Sequence, residues 1–196
     1  ELRGNAMQQA VPAGTGAMFA IIGLDNEAII KACEQAASET GEIVSAVNFN
    51  SPGQVVIAGT KTAAMRAGEL CKEAGAKRAL PLAVSVPSHC ALMKPAADKL
   101  AEVLQNITLN APLVPVINNV DVATETDADK IRDALVRQLY SPVRWTETVE
   151  KMAKDGVTTL YEIGPGKVLT GLTSRIVKEL SVKAVNDVAS FEAVEA

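Results

Sequence analysis

His89 is the only imidazole among the 196 residues. It lies in Val84-Ser85-Val86-Pro87-Ser88-His89-Cys90-Ala91-Leu92-Met93, where an apolar, strand-like run ends at Pro87 and a helix-like pattern starts at Ser88. Imidazole is the side chain whose ordinary pKa lies nearest neutrality, so a lone histidine at a strand-to-helix junction is a candidate proton-transfer group. Ser88 reads as an N-cap, which predicts His89 in the first turn of a helix. The positive end of the helix dipole disfavours imidazolium there. A neutral imidazole is what a general base needs at neutral pH. The competing reading is a histidine packed on a sheet edge with no chemical task. Ser88 and Cys90 are sequence neighbours, and adjacent helical residues do not face each other. No Gly-x-Ser-x-Gly elbow occurs in the sequence. The chain therefore holds a candidate base without a candidate nucleophile.

Other polar groups are weaker signals. Arg3, beside Gly4, is of a type that grips a carboxylate with two parallel hydrogen bonds, though most arginines are solvated surface groups. Asn48-Phe49-Asn50-Ser51-Pro52-Gly53-Gln54 surrounds a turn with amide donors and acceptors, and the same residues suit the turn itself. Gly164-Pro165-Gly166-Lys167 precedes a helix-like run; it lacks Walker A spacing and reads as a turn rather than an anion site. Cys33, Cys71 and Cys90 are odd in number and include no Cys-x-x-Cys, which points to neither a disulfide scaffold nor a zinc site. No metal site is expected.

These residues need elements to hold them. Residues 1–12 read as the end of a helix stopped by Pro12. Apolar runs at 17–24, 43–50, 54–58 and 76–82 read as strands, the middle two joined as a hairpin by Ser51-Pro52-Gly53. Asp25 and Thr60 are placed to cap two intervening helices, which Gly41 and Gly75 end. The order is β-α-β-β-α-β, the ferredoxin-like pattern. After residue 84 the rhythm changes. A helix is expected over 91–104, a buried strand over 114–120, and a helix over 130–139 opened by a capping box at Thr126-Asp127-Ala128-Asp129. Helices over 143–155 and 167–180 and strands over 158–163 and 182–185 complete the chain. Alternating strands and helices imply a parallel α/β sheet. Residues 13–83 are expected to form a small domain inserted in a larger α/β domain built from 1–12 and 84–196.

Composition limits the function classes. Hydrophobic residues make up 48% and aromatics only 3%, so aliphatic side chains must build the core. The net charge of -4 and the lack of a long basic run argue against nucleic acid. No apolar run approaches the roughly 20 residues of a membrane span. The cysteine usage suggests a reducing, cytoplasmic compartment. The sequence opens on Glu1 within a helical pattern, without a signal peptide, so a piece of a longer protein is expected.

Several stretches in order resemble the C-terminal two-thirds of the malonyl-CoA:acyl carrier protein transacylase family of bacterial fatty-acid synthesis. They are Leu2-Arg3-Gly4, Ala13-Gly14-Thr15-Gly16-Ala17-Met18, the run from Asn48 to Gly59, Val86-Pro87-Ser88-His89-Cys90-Ala91-Leu92-Met93, Asn118-Asn119-Val120, and Tyr161-Glu162-Ile163-Gly164-Pro165-Gly166-Lys167-Val168-Leu169. The resemblance implies an α/β-hydrolase-like domain with an inserted ferredoxin-like domain, and ping-pong acyl transfer through an acyl-serine. It makes His89 the base of a Ser-His dyad, oriented by the backbone carbonyl of Gln138, and Arg3 the clamp on the malonyl carboxylate. Asn50 and Gln54 line the cleft. The substrate is malonyl-CoA, a coenzyme A thioester, with no bound cofactor. The partner is acyl carrier protein, for which Lys72, Lys77 and Arg78 are candidate contacts. The nucleophilic serine and the Gln-bearing loop are not in this sequence, so this stretch alone is expected to be inactive. Two alternatives stand beside it: a thioesterase-like hydrolase, and a non-catalytic ferredoxin-like module binding RNA or a small effector. RNA binding needs aromatic platforms, and the strands at 43–50 and 54–59 offer only Phe49.

Overall fold

The structure is a computed structural model that describes residues 1–84 and 86–195; Ser85, in the stretch around His89, and Ala196, at the end of the 84–196 segment, lie outside the described residues. The chain forms two compact units that divide after Arg144.

In the first unit, strands β1 (Gly16–Ile22), β2 (Val44–Ser51), β3 (Gln54–Thr60) and β4 (Arg78–Pro81) form one sheet in the order β2-β3-β1-β4, with every neighbouring pair antiparallel. Helices α2 (Asn26–Thr40) and α3 (Lys61–Glu73) lie between them in sequence, so the β-α-β-β-α-β order is present. One face of the sheet buries Ile21, Val55 and Ile57 against Ile29, Cys33, Ala36, Ala64, Ala67 and Cys71 of the two helices. Alanines and cysteines there let the helix axes approach the sheet closely. On the other face Met18, Val56 and Ala58 pack with Val47 and Cys90. The residue next to His89 is thus a core residue of the sheet. Local chemistry accounts for the helix ends. Asp25 accepts a bond from the Ala28 N–H at 2.9 Å, Thr60 accepts one from Ala63, and Gly41 closes α2 at φ 68.

A second core joins α1 (Leu2–Ala10), α4 (Lys94–Leu104) and the end of α5 (Ala128–Arg137) through Ala6, Met7, Met93, Ala97, Leu100 and Leu139. This packing brings Arg3 and residue 89 into one region although they are distant in sequence.

Two features of this unit differ from the sequence reading. Ser88 caps no helix, and His89 is not in a helical first turn. It sits in a turn at φ 66, followed by a 3-10 turn over Ala91–Met93, and α4 starts at Lys94 with Pro95 in its first turn. Residues 114–120 do not form a buried strand. Val114 is 68% exposed and Val116 58%, and the segment makes only the isolated bridge Ile117↔Thr124 among the described residues. A buried strand needs neighbours on both sides to satisfy its backbone. A smaller shift affects α5, which is capped by Asp127 rather than Thr126: its carboxylate accepts from the Asp129 and Lys130 N–H groups, both at 3.0 Å.

The second unit holds α6 (Trp145–Lys154), β5 (Thr159–Ile163), α7 (Val168–Ile176), β6 (Ser181–Val185) and α8 (Val188–Glu195). Strands β5 and β6 pair in parallel, from Thr159↔Ser181 to Ile163↔Val185, with α7 as the crossover. Glu162 at the end of β5 occupies the start of α7, accepting from Leu169 N–H at 3.0 Å and from the Thr170 N–H and hydroxyl at 2.7 Å each. A carboxylate from the chain itself thus fills the helix N-terminus behind Gly164-Pro165-Gly166. Helix α8 escaped the sequence reading, although Asp187 caps it by accepting from Ser190 N–H at 2.7 Å. The molecule is therefore mixed α/β, with an antiparallel sheet in one unit and a parallel strand pair in the other. No helix among the described residues is long and apolar enough to cross a membrane.

Candidate active site

The site grows from the C-terminal turn of α5. A helix leaves its last carbonyls without intrahelical partners, and they carry the negative end of its dipole. One carbonyl at this end, Gln138 O, and one just past it, Leu139 O, point at one residue. The His89 backbone N–H donates to Leu139 O at 3.0 Å, and His89 Nδ1 lies 2.8 Å from Gln138 O. A carbonyl can only accept, so Nδ1 carries the proton and Nε2 is left as the basic nitrogen. The left-handed backbone of His89 lets its N–H and its ring reach neighbouring carbonyls of the same turn. Such a conformation costs about 1 kcal/mol or more for a non-glycine residue, and it persists where surroundings fix it.

The His89 pKa is held below its ordinary value, chiefly by burial, and also by the positive charge of Arg3; backbone hydrogen bonding at Gln138 and Ser141 opposes both. The positive helix end expected at His89 is absent, because the residue lies in no α-helical first turn. The neutral imidazole comes instead through desolvation and Arg3, while the dipole that touches the ring is the negative end of α5.

Arg3, on α1, is half-buried, and its Nε is a buried donor with no hydrogen-bond partner. Leaving a buried donor unsatisfied costs roughly 1–3 kcal/mol. The Arg3 charge acts on the imidazole of His89, and its Nε is a donor left over for an anion.

An open cleft of about 460 Å³ runs beside His89, lined by Met18, Asn48, Val84, Val86 and Ser88 among others. The amide in this lining is Asn48, not the Asn50 and Gln54 expected from the resemblance. Asn50 and Gln54 lie farther along the hairpin, next to the Ser51↔Gln54 pairing, and are not among the residues lining this cleft. The reason is a pair of irregularities in β2. Between Ala46↔Ile57 and Asn48↔Val56, and again between Phe49↔Val55 and Ser51↔Gln54, β2 advances two residues where β3 advances one, leaving Val47 and Asn50 as extra residues. A bulge re-aims side chains, and no sequence signal marks it here. The chain after α5 docks on the first bulge: Val143 N–H donates to Val47 O at 2.8 Å, and Phe49 N–H donates to Val143 O at 2.9 Å.

Cys90 offers no nucleophile. It is 1% exposed, its thiol donates to Pro87 O at 3.2 Å, and burial pushes its pKa up. Among the described residues no cluster of three or more His, Cys, Asp or Glu is arranged to hold a metal ion.

Comparison with known proteins gives a consistent picture. Residues 2–194 match the acyl transferase domain family. A "Malonyl CoA-acyl carrier protein transacylase" of Haemophilus influenzae is 75% identical over 195 residues, covering 100% of this chain and 62% of that protein. The crystal structure of an acyl carrier protein S-malonyltransferase from Vibrio cholerae is 74% identical, with a TM-score of 0.96 over 98% of this chain and 62% of that one. A malonyl-transacylase solved in complex with a type II PKS acyl-carrier protein is 69% identical, with a TM-score of 0.96 and the same coverage, 98% and 62%. The chain thus spans 62% of the length of these relatives.

Proposed function

The chain belongs to the acyl transferase domain family, and from that premise we propose that it supplies the general base and the carboxylate clamp of a malonyl-CoA:acyl carrier protein transacylase. The observation that carries this reading is the bond of 2.8 Å from His89 to Gln138 O, with the buried, partnerless Nε of Arg3 on a side chain whose charge acts on the same imidazole.

The nucleophile is a serine in the remainder of the protein. His89 Nε2 takes its proton as the hydroxyl oxygen attacks the thioester carbonyl of malonyl-CoA. The Nδ1–H bond to Gln138 O keeps the ring in the required tautomer, and the negative end of α5 stabilises the imidazolium as it forms. The imidazolium then returns the proton to the departing coenzyme A sulfur, leaving malonyl on serine as an oxygen ester. In the second half, the pantetheine thiol of acyl carrier protein gives its proton to His89 and attacks that ester, and the imidazolium reprotonates the serine. A carbonyl in place of a triad carboxylate serves this substrate well, because it brings no full negative charge toward the malonyl carboxylate. Arg3 receives that carboxylate in a charge-assisted pair, which favours malonyl over acetyl.

Asn48 joins Asn50 and Gln54 as amides along the substrate cleft. The α/β-hydrolase-like arrangement with a ferredoxin-like insertion at 13–83 is retained as part of this proposal; the strand order β2-β3-β1-β4 supports its ferredoxin-like part. Residues 1–12 and 84–196 then belong to the larger domain. The division after Arg144 falls elsewhere because Cys90 and Val143 dock on the small sheet. Lys72, Lys77 and Arg78 remain the proposed carrier-protein contacts, with no bound cofactor and a cytoplasmic setting.

The test is intact-mass analysis of the full-length protein with malonyl-CoA, before and after acyl carrier protein is added. A malonyl group should appear on one serine and move to the carrier thiol faster than it is lost to water. Hydrolysis outrunning transfer would favour a thioesterase, and absence of any adduct would reject acyl transfer.

A further inference from the structure

The turn that holds His89 is itself held at both ends by one loop. Arg137, the residue before Gln138, donates from Nη1 and Nη2 to the two carboxylate oxygens of Asp121 at 2.9 and 2.8 Å, and from Nε to Asp133 at 2.6 Å. At the far end of the turn, Arg144 donates from its backbone N–H to Asn119 O at 3.3 Å and from Nη1 to Val120 O at 3.0 Å. The charges of Arg137 and Arg144 both lower the Asp121 pKa, the bonded Arg137 foremost.

That loop is built rather than loose. Asn118 Oδ1 accepts from the Val120 and Asp121 N–H groups at 3.1 and 2.8 Å, and Asn118 Nδ2 donates to Ala123 O at 3.0 Å. Val122 is held at φ 56, an unfavourable conformation for a β-branched residue that persists only where the surroundings determine it.

We propose that Asp121 is a positioning residue for His89: bonded to Arg137 and flanked by Arg144, it fixes the turn whose Gln138 carbonyl orients the imidazole. This rests on the reading of His89 as the base. In a Ser-His-Asp arrangement the carboxylate touches the imidazole. Asp121 instead acts at one remove, through the helix end, and two arginines neutralise it away from the ring. The Arg137 and Asp121 side chains are 30% and 38% exposed. Ion pairs this open contribute little to stability, so the clamp acts on geometry more than on folding.

The experiment uses the full-length protein with Asp121→Asn, Arg137→Met, the double variant and His89→Gln. In rapid-mix assays with malonyl-CoA, each single substitution should lower the maximal rate of acyl-enzyme formation about tenfold and leave KM nearly unchanged, since a small misplacement of a reacting group costs one to two powers of ten. The double variant should be no slower than either single one, and Tm should stay close to the parent value. The second readout is the His89 pKa from NMR titration, assigned with His89→Gln. Losing the Gln138 acceptor lowers it, so both substitutions should shift it downward. Field effects alone act oppositely: removing a carboxylate lowers an imidazole pKa, and removing a guanidinium raises it. Arg3, the charged side chain acting directly on the ring, is the same in every variant. Opposite shifts, an unchanged rate, or a rate loss that tracks a fall in Tm would each overturn the proposal. The titration does not depend on turnover. Downward shifts together with a fully active His89→Gln would retain the positioning role and remove the base assignment, whereas an inactive His89→Gln without those shifts would do the reverse.

Discussion

At the scale of single residues, His89 combines three demands: a left-handed backbone, a half-buried ring and a bond to a helix-terminal carbonyl. Burial lowers its folded-state pKa below the ordinary 6.5. The unfolded chain therefore binds more protons between the two values. Stability from this group is complete above the ordinary pKa and is lost as pH falls from 6.5 toward the folded value. Denaturant titrations across that window should show His89→Gln removing part of the decline. An identical decline in both proteins would assign the acid sensitivity to other groups. Arg3 carries a second prediction. Its charge depresses the His89 pKa, so Arg3→Met should move the acidic limb of kcat/KM to higher pH and, in competition assays, abolish the preference for malonyl over acetyl. A limb that stays in place would separate Arg3 from the ring. The residue types were legible in sequence: one histidine, and one arginine near the start. Their meeting was implied by the family resemblance and by no local pattern, because α1 joins this region through its packing on α4.

At the scale of elements, the first sheet was legible because its signals are local. Asp25, Gly41, Thr60 and Gly75 punctuate α2 and α3 with side-chain and backbone preferences that need no tertiary partner. Removing either cap, as Asp25→Ala or Thr60→Ala, should cost about 1 kcal/mol by equilibrium unfolding. Gly59 illustrates a tighter constraint. A Cβ there would lie 2.6 Å from Val44 Cα and against the Ile43 carbonyl, at the start of β2. Gly59→Ala should therefore destabilise by about 1–3 kcal/mol; a neutral result in thermal melts would show that β2 can move away. The helix expected from Ser88 failed for the opposite reason. Ser-His-Cys after a proline has the composition of a helix start. The backbone of His89 is instead drawn into the left-handed region by Leu139 and Gln138, some fifty positions away. Likewise, the bulge at Val47 that puts Asn48 at the cleft depends on Val143, which no local pattern around Asn48 announces.

At the scale of the whole molecule, the strand expected over 114–120 is informative in its absence. The run is apolar enough for a buried strand, yet Val114 and Val116 are 68% and 58% exposed. The chain spans 62% of its relatives' length, and the proposed function places a serine nucleophile in the remainder. In that account these valines are covered in the longer protein. Val116→Ser should then leave the 196-residue chain nearly unchanged and destabilise the full-length protein by about 1 kcal/mol or more, as loss of a buried aliphatic side chain does. Equal effects on both would leave residues 114–120 as a surface loop. The catalytic claim itself is tested most directly by the rate at which the full-length protein acquires malonyl on serine, compared between the parent and His89→Gln at neutral pH. Removing a general base should slow acylation by about 10²–10⁴-fold while the protein still binds malonyl-CoA. Acylation of His89→Gln at the parent rate would contradict the assignment of His89 as the base.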